Sequence, residues 1–273
     1  MVTKVELAIE SNDILGECPL WDDRQGALLW IDIEAPALKR YDGRLHVVTL
    51  PEKIGSFALR GQGGLVAALQ SGIYLYFPEE AQATLLARPQ DHREELRFND
   101  GRCDRAGRFW AGSMNDATHA PEGSLYRFAA DGSSTRMRKS IAVPNSLSWS
   151  PDGRTMYFAD SPRHKIWSFD YDPQSGEMSN ERIFATPYPG FPDGSCVDAD
   201  GCLWNAEYGG ARVVRYTPQG KVDRVIEVPV ENPTCCCFGG ARLDTLYITT
   251  ARGPGVFAVQ PGSTGLREAR FAG

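Results

Sequence analysis

Two carboxylates and two carboxamides, Glu17, Asn99, Asn145 and Asp193, stand at equivalent points of a sequence that repeats six times. Gly55 and Thr234 complete the column. Each member lies four residues before an apolar anchor, as Asn145 does before Trp149 and Asp193 before Val197. Where such positions converge, bare carboxylates repel one another and lose solvation, which costs free energy unless a positive charge compensates them. One divalent cation would do so. Its donors would all be oxygens, which suits a hard ion such as Ca²⁺, Mg²⁺ or Mn²⁺, with Zn²⁺ and Fe²⁺ also compatible. For the column alone, the competing reading is a ring of solvated polar groups beside channel water.

The elements that must position this column are short strands. Aligned on the second strand of each unit, the runs are Ala27 to Trp30, Gly64 to Val66, Arg108 to Trp110, Thr155 to Tyr157, Cys202 to Trp204 and Thr245 to Tyr247. Their spacing is about 36 to 47 residues, the period of a four-stranded propeller blade. A turn rich in Asp and Gly precedes every run, as in Pro151-Asp152-Gly153, and no sustained helical periodicity interrupts the pattern. The expected fold is therefore all-β: a six-bladed β-propeller with four-stranded blades, formed by residues 1–273 as a single domain. The inner strand of each blade would line the central channel and bring the column to one end of it. Val5 to Ile9 falls where an outer strand of blade six is needed, so it is expected to clasp the two chain ends and cover an open edge. Leu266 to Phe271 competes for that place.

Bulk properties narrow the function class. Across 273 residues the chain is 42% hydrophobic and 23% charged, with a net charge of -6. That balance argues against nucleic acid and for a monomer. No apolar run approaches the roughly 20 residues of a membrane span, and the N-terminus lacks the pattern of a signal peptide, so no membrane association and a cytoplasmic location are expected. The seven Cys include the consecutive Cys235, Cys236 and Cys237, which alternate faces in a strand and cannot converge on one metal. They are expected to be reduced, buried fillers. Asp198-Ala199-Asp200-Gly201 resembles the start of an EF-hand loop but occupies the turn of the repeat. The four His show no paired metal spacing, and no Gly-x-Ser-x-Gly elbow is present.

Leu15 to Trp21, Arg97-Phe98-Asn99-Asp100-Gly101, Trp110 to Met114, Asn145 with Trp149 to Gly153, Pro192-Asp193-Gly194 and Phe238-Gly239-Gly240 together resemble the SMP-30/gluconolactonase/luciferin-regenerating family, from about Ile14 to Arg252. The resemblance implies a six-bladed propeller that hydrolyses sugar lactones with one divalent metal ion. By it, Glu17, Asn145 and Asp193 are metal ligands, Arg97 and Asn99 bind substrate, and Asp193 also handles the proton. Three departures are visible. Ser146 follows the ligand Asn where the family commonly has Gly. Ala117 stands where some members carry a substrate-binding Glu. Between Arg252 and Val256 there is little room for the longer loop of many relatives.

A lactone is a cyclic ester. Its hydrolysis needs a polarised carbonyl, an activated water and a protonated leaving oxygen, of which a metal supplies the first two. Asp193 is suited to relay the proton, and Arg97 to hydrogen-bond sugar hydroxyls or the developing oxyanion. The alternative for Arg97 is a surface salt bridge. The loop from Ser113 to Gly123 rims the same end as the column, with Asp116, His119 and Glu122 as candidates without roles. The expected partner is a small-molecule sugar lactone. Hydrolysis of another ester, an organophosphate or an aromatic lactone, and a non-catalytic ion-binding propeller stay open beside it.

Overall fold

A computed structural model describes residues 4–273. The chain opens with β1 (Glu6–Glu10). Blade one is β2 (Gly16–Asp22), β3 (Ala27–Asp32), β4 (Ala37–Tyr41) and β5 (Leu45–Thr49). Blade two is β6 (Ile54–Leu59), β7 (Leu65–Leu69), β8 (Gly72–Phe77) and β9 (Gln82–Ala87). Blade three is β10 (Leu96–Cys103), β11 (Phe109–Asn115), β12 (Gly123–Phe128) and β13 (Ser134–Ile141). Blade four is β14 (Pro144–Trp149), β15 (Thr155–Asp160), β16 (Lys165–Asp172) and β17 (Glu177–Ala185). Blade five is β18 (Phe191–Val197), β19 (Leu203–Tyr208), β20 (Arg212–Tyr216) and β21 (Val222–Glu227). Blade six takes β22 (Pro233–Gly239), β23 (Thr245–Thr250) and β24 (Gly255–Val259) from the C-terminal part of the chain and β1 from the N-terminal part. Each blade is an antiparallel meander, and the six make the expected propeller. Among the described residues the only helical element is one 3₁₀ turn, Ser161–Arg163.

The clasp forms as the sequence predicts. β1 pairs antiparallel with β24, Glu6 opposite Ala258 and Glu10 opposite Gly255, so the outer edge of blade six is covered. Leu266 to Phe271 does not compete for that edge. It crosses the underside of the ring instead. Gly265 bridges Asp198 of blade five, and Phe271 bridges Arg60 beyond blade two. Phe271 is fully buried, and Ala272 N donates to the Gly107 carbonyl at 3.0 Å. Midway, Glu268 reaches into the channel and pairs with Arg102 of β10 at 3.2 Å. The tail thus stops the channel at the end away from the column, leaving a cavity of about 20 Å³ beneath it, lined in part by Arg102, Ser148, Trp149 and Cys196.

The packing repeats with the sequence. Trp30, Trp110 and Trp204, each on the second strand of its blade, are fully buried, and burial of a large side chain contributes roughly 1.5–3 kcal/mol. The turn aspartates support two of them: Asp104 accepts from Trp110 Nε1 at 3.3 Å, and Asp198 from Trp204 Nε1 at 2.8 Å. Asp198 also accepts the backbone N–H groups of Asp200 and Cys202, so the stretch that resembles an EF-hand is a turn, with Gly201 at φ 81°. All seven Cys are free and buried, in keeping with their reading as fillers.

Candidate functional site

Every inner strand breaks register where it carries the column. The irregularity falls between Glu17 and Leu20, Ile54 and Ser56, Phe98 and Gly101, Asn145 and Ser148, Pro192 and Ser195, and Pro233 and Cys235. A bulge leaves a residue unpaired and re-aims its side chain. Gly55, Asn99, Asp193 and Thr234 are among the unpaired residues, and Glu17 and Asn145 are the last paired residues before the break, so each blade presents its column residue at such an irregularity. The residues after Glu17 and Asn145, Cys18 and Ser146, sit at φ 50° and 61°. The family's common Gly at position 146 reflects this left-handed backbone, and here a serine bears it. Gly55 is a gap in the column for a different reason: a Cβ there would lie 2.1 Å from the Phe98 carbonyl oxygen.

The structure brings the predicted residues together. Asn99 Nδ2 donates to the Pro144 carbonyl at 2.9 Å and to Asn145 Oδ1 at 3.3 Å. Asn145 Nδ2 donates to Ser161 Oγ at 2.8 Å, and Ser161 Oγ donates to the Pro192 carbonyl at 2.7 Å. With its nitrogen held there, Asn145 keeps for an ion the lone pair of its carbonyl oxygen that Asn99 does not use. Asp193 is fixed through its backbone, whose carbonyl accepts from Ser146 Oγ at 2.6 Å and from Asn205 Nδ2 at 3.0 Å. Glu17 accepts from the Cys18 N–H at 3.0 Å. Thr234 closes the ring by donating to the Gly16 carbonyl.

Charge is concentrated here and only partly offset. Burial and then the neighbouring Asp100 push Glu17 up to about 8, against the Cys18 N–H and Arg97. Burial, Glu17 and Asp100 hold Asp193 well above the usual carboxylate range. Burial likewise raises Asp100, whose Oδ2 accepts the Leu147 N–H at 2.8 Å. Among the described residues, none of these three carboxylates has a Lys or Arg within ion-pair distance. A divalent cation fits this arrangement, because it converts a mutual repulsion into shared attraction. Among the described residues no three His, Cys, Asp or Glu side chains cluster as a metal site. Any third donor beside Glu17 and Asp193 would come from outside those four residue types, and the carboxamide oxygens of Asn145 and Asn99 lie in the same ring.

Arg97 is 5% exposed and is not a surface salt bridge. Its Nη1 donates to Asn99 Oδ1 at 2.7 Å and its Nε to Asp116 Oδ1 at 2.6 Å. Of the three loop candidates, Asp116 alone reaches this row. Glu122 turns away to Arg93 and Asn115, and His119 stands exposed at φ 51°. Sequence reasoning missed Asp100, Ser161, Asn205 and Lys53. For Lys53 a signal existed: it lies two residues before Gly55, as Arg97 lies two before Asn99 and Phe191 two before Asp193.

The fold and site define a class: a six-bladed propeller with a carboxylate–carboxamide ring at the axis. The family model described as SMP-30/Gluconolactonase/LRE-like region matches residues 15–252. The chain belongs to that family. It is 40% identical over 253 residues to 6-deoxy-6-sulfogluconolactonase of Pseudomonas putida, covering 91% of this chain and 87% of that protein. It is 36% identical over 261 residues to regucalcin of Homo sapiens, with the same 91% and 87% coverage. Among solved structures, the calcium-binding protein regucalcin from Agrobacterium tumefaciens superposes with a TM-score of 0.92 at 29% identity, covering 96% of this chain and 95% of that one. No helix of the described residues is long and apolar enough to cross a membrane.

Proposed function

We propose that this protein is a metal-dependent lactonase that hydrolyses a sugar lactone to the aldonic acid. The observation that carries the reading is the set of buried carboxylates without an ion-pair partner beside the oxygen of Asn145, with an immobilised guanidinium nearby. Glu17, Asn145 and Asp193 would hold the ion. When bound there, a divalent cation supplies Lewis acidity towards an ester carbonyl and acidifies water. Asp193 accepts the proton of the attacking water and returns it to the ring oxygen as the ester bond breaks. Asn99 and Arg97 bind the sugar hydroxyls, and Arg97 adds a charge-assisted hydrogen bond. The likeness to a sulfogluconolactonase supports the substrate class, and the likeness to a calcium-binding propeller supports the cation.

The test is proton release on a panel of aldonolactones, with and without exhaustive chelation. Turnover of at least one member is expected, lost on chelation and restored by one divalent ion. Full activity in protein shown metal-free by elemental analysis overturns the metal requirement. No turnover on any lactone overturns the activity.

A further inference from the structure

The Arg97 guanidinium is held on two sides. Nε donates to Asp116 at 2.6 Å, while Nη1 donates to Asn99 Oδ1 at 2.7 Å and to the Phe98 carbonyl at 3.0 Å. Nη2 has no partner among the described residues, and it is not sealed from solvent. Asp116 is held in turn. Lys53 Nζ donates to its Oδ2 at 2.7 Å and reaches Glu34 at 2.7 and 2.8 Å. The charges alternate along Glu34, Lys53, Asp116 and Arg97, and the four residues come from blades one, two and three. Burial works against the charge of Asp116, yet Arg97 and Lys53 keep its carboxyl below the ordinary range.

Resting on the lactonase reading, we propose that Asp116 is the positioning residue for substrate recognition. It acts through Arg97, fixing the guanidinium so that the Nη2 edge faces the sugar hydroxyls of the bound lactone. The geometry carries this. A free arginine side chain samples many rotamers, and a hydrogen bond to substrate must immobilise it. Two anchors already in place remove that cost before the ligand arrives.

The test has two arms. In ¹⁵N-labelled protein, the Arg97 Nε–H cross-peak, assigned by its loss in Arg97→Lys, is expected to be protected from solvent exchange, and Asp116→Ala is expected to abolish that protection. This arm reads the clamp whatever the substrate. In the kinetic arm, Asp116→Ala is expected to raise KM for the hydrolysed lactone about tenfold, with kcat and the calorimetric metal Kd unchanged. In an Arg97→Ala background the same change is expected to add nothing. An unprotected Nε–H in the wild-type protein overturns the proposal. So does an equal KM penalty in both backgrounds, which makes Asp116 a direct contact, or a weakened metal Kd, which makes it part of the ion site. Failure of the lactonase reading shows separately, as a wild-type protein that turns over no lactone while the first arm still reports on the clamp.

Discussion

Ser146 Oγ donates to the backbone carbonyl of Asp193 at 2.6 Å, binding the bulge of blade four to that of blade five. The two bulges carry two of the three residues assigned to the ion, so their separation depends on this hydroxyl. The serine holds a left-handed backbone at φ 61° to make the contact. Ser146→Ala keeps that strain and loses the bond, at a cost of about 0.5–1.5 kcal/mol. Ser146→Gly loses the same bond but relieves roughly 1–2 kcal/mol of strain. Thermal melts should therefore rank the glycine variant above the alanine variant. Equal losses for both would show that the backbone at 146 is unstrained.

Much of this site was legible because its residues recur in phase. Glu17, Asn99, Asn145 and Asp193 announce themselves by type at equal distances from apolar anchors, and the clasp expected at Val5 to Ile9 forms at Glu6–Glu10. Asp100 was not legible as a site residue. It lies outside the column, and only the bulge between Phe98 and Gly101 turns it towards Glu17 and Asp193. A period of two residues carries no sign of that bulge. The chain from Glu34 to Arg97 was hidden for another reason: its members lie on three blades, and only folding brings them into contact. The tail stays open in the sequence as a rival outer strand because Leu266, Ala269 and Phe271 are spread through a charged stretch with no clear period, and in the structure it meets the blades only by isolated bridges.

Asp193 and Arg97 should separate in their effects. Asp193→Asn keeps an oxygen and removes a charge and a base, so metal affinity falls, and kcat at saturating metal drops by about 10²- to 10⁴-fold. Arg97→Ala leaves the oxygens proposed to hold the ion in place. Metal Kd should hold while kcat/KM for polyhydroxylated lactones falls by one to two decades, the worth of a charge-assisted hydrogen bond of roughly 1.5–3 kcal/mol. Calorimetry and proton release on both variants check this. Near-wild-type kcat in Asp193→Asn would move the proton transfer to another group.

His92 ties stability to pH. The ring is buried, stacks on Phe98 with centroids 4.6 Å apart, and bonds through Nε2 to the Gln70 carbonyl at 2.7 Å. Burial lowers its affinity for a proton below that of an ordinary histidine. Below about pH 6.5 the unfolded chain binds a proton that the folded chain does not. This contribution is therefore complete above about 6.5 and is lost as pH falls from there through the lower folded value. His92→Phe should flatten that part of a stability curve measured by urea titration between pH 7.5 and about 5. An unchanged slope in the variant would assign the pH dependence elsewhere.

The clasp can be removed. Without β1, blade six has three strands and an unpaired edge at β24. A chain beginning at Ser11 should melt well below the intact protein and self-associate through that edge, as sedimentation would show. A truncated chain with an unchanged Tm would mean that the remaining contacts between blades close the ring unaided.

The tail beneath the ring has a consequence for traffic. With Glu268 seated against Arg102 and Phe271 buried beyond it, the axial passage is a blind well rather than a tunnel. Whatever enters must back out past the ring of carboxylates by the doorway it came through. Arrival and departure therefore share one mouth. The spent ligand becomes a competitor for the entrance, and a fast turnover demands that the mouth hold it weakly.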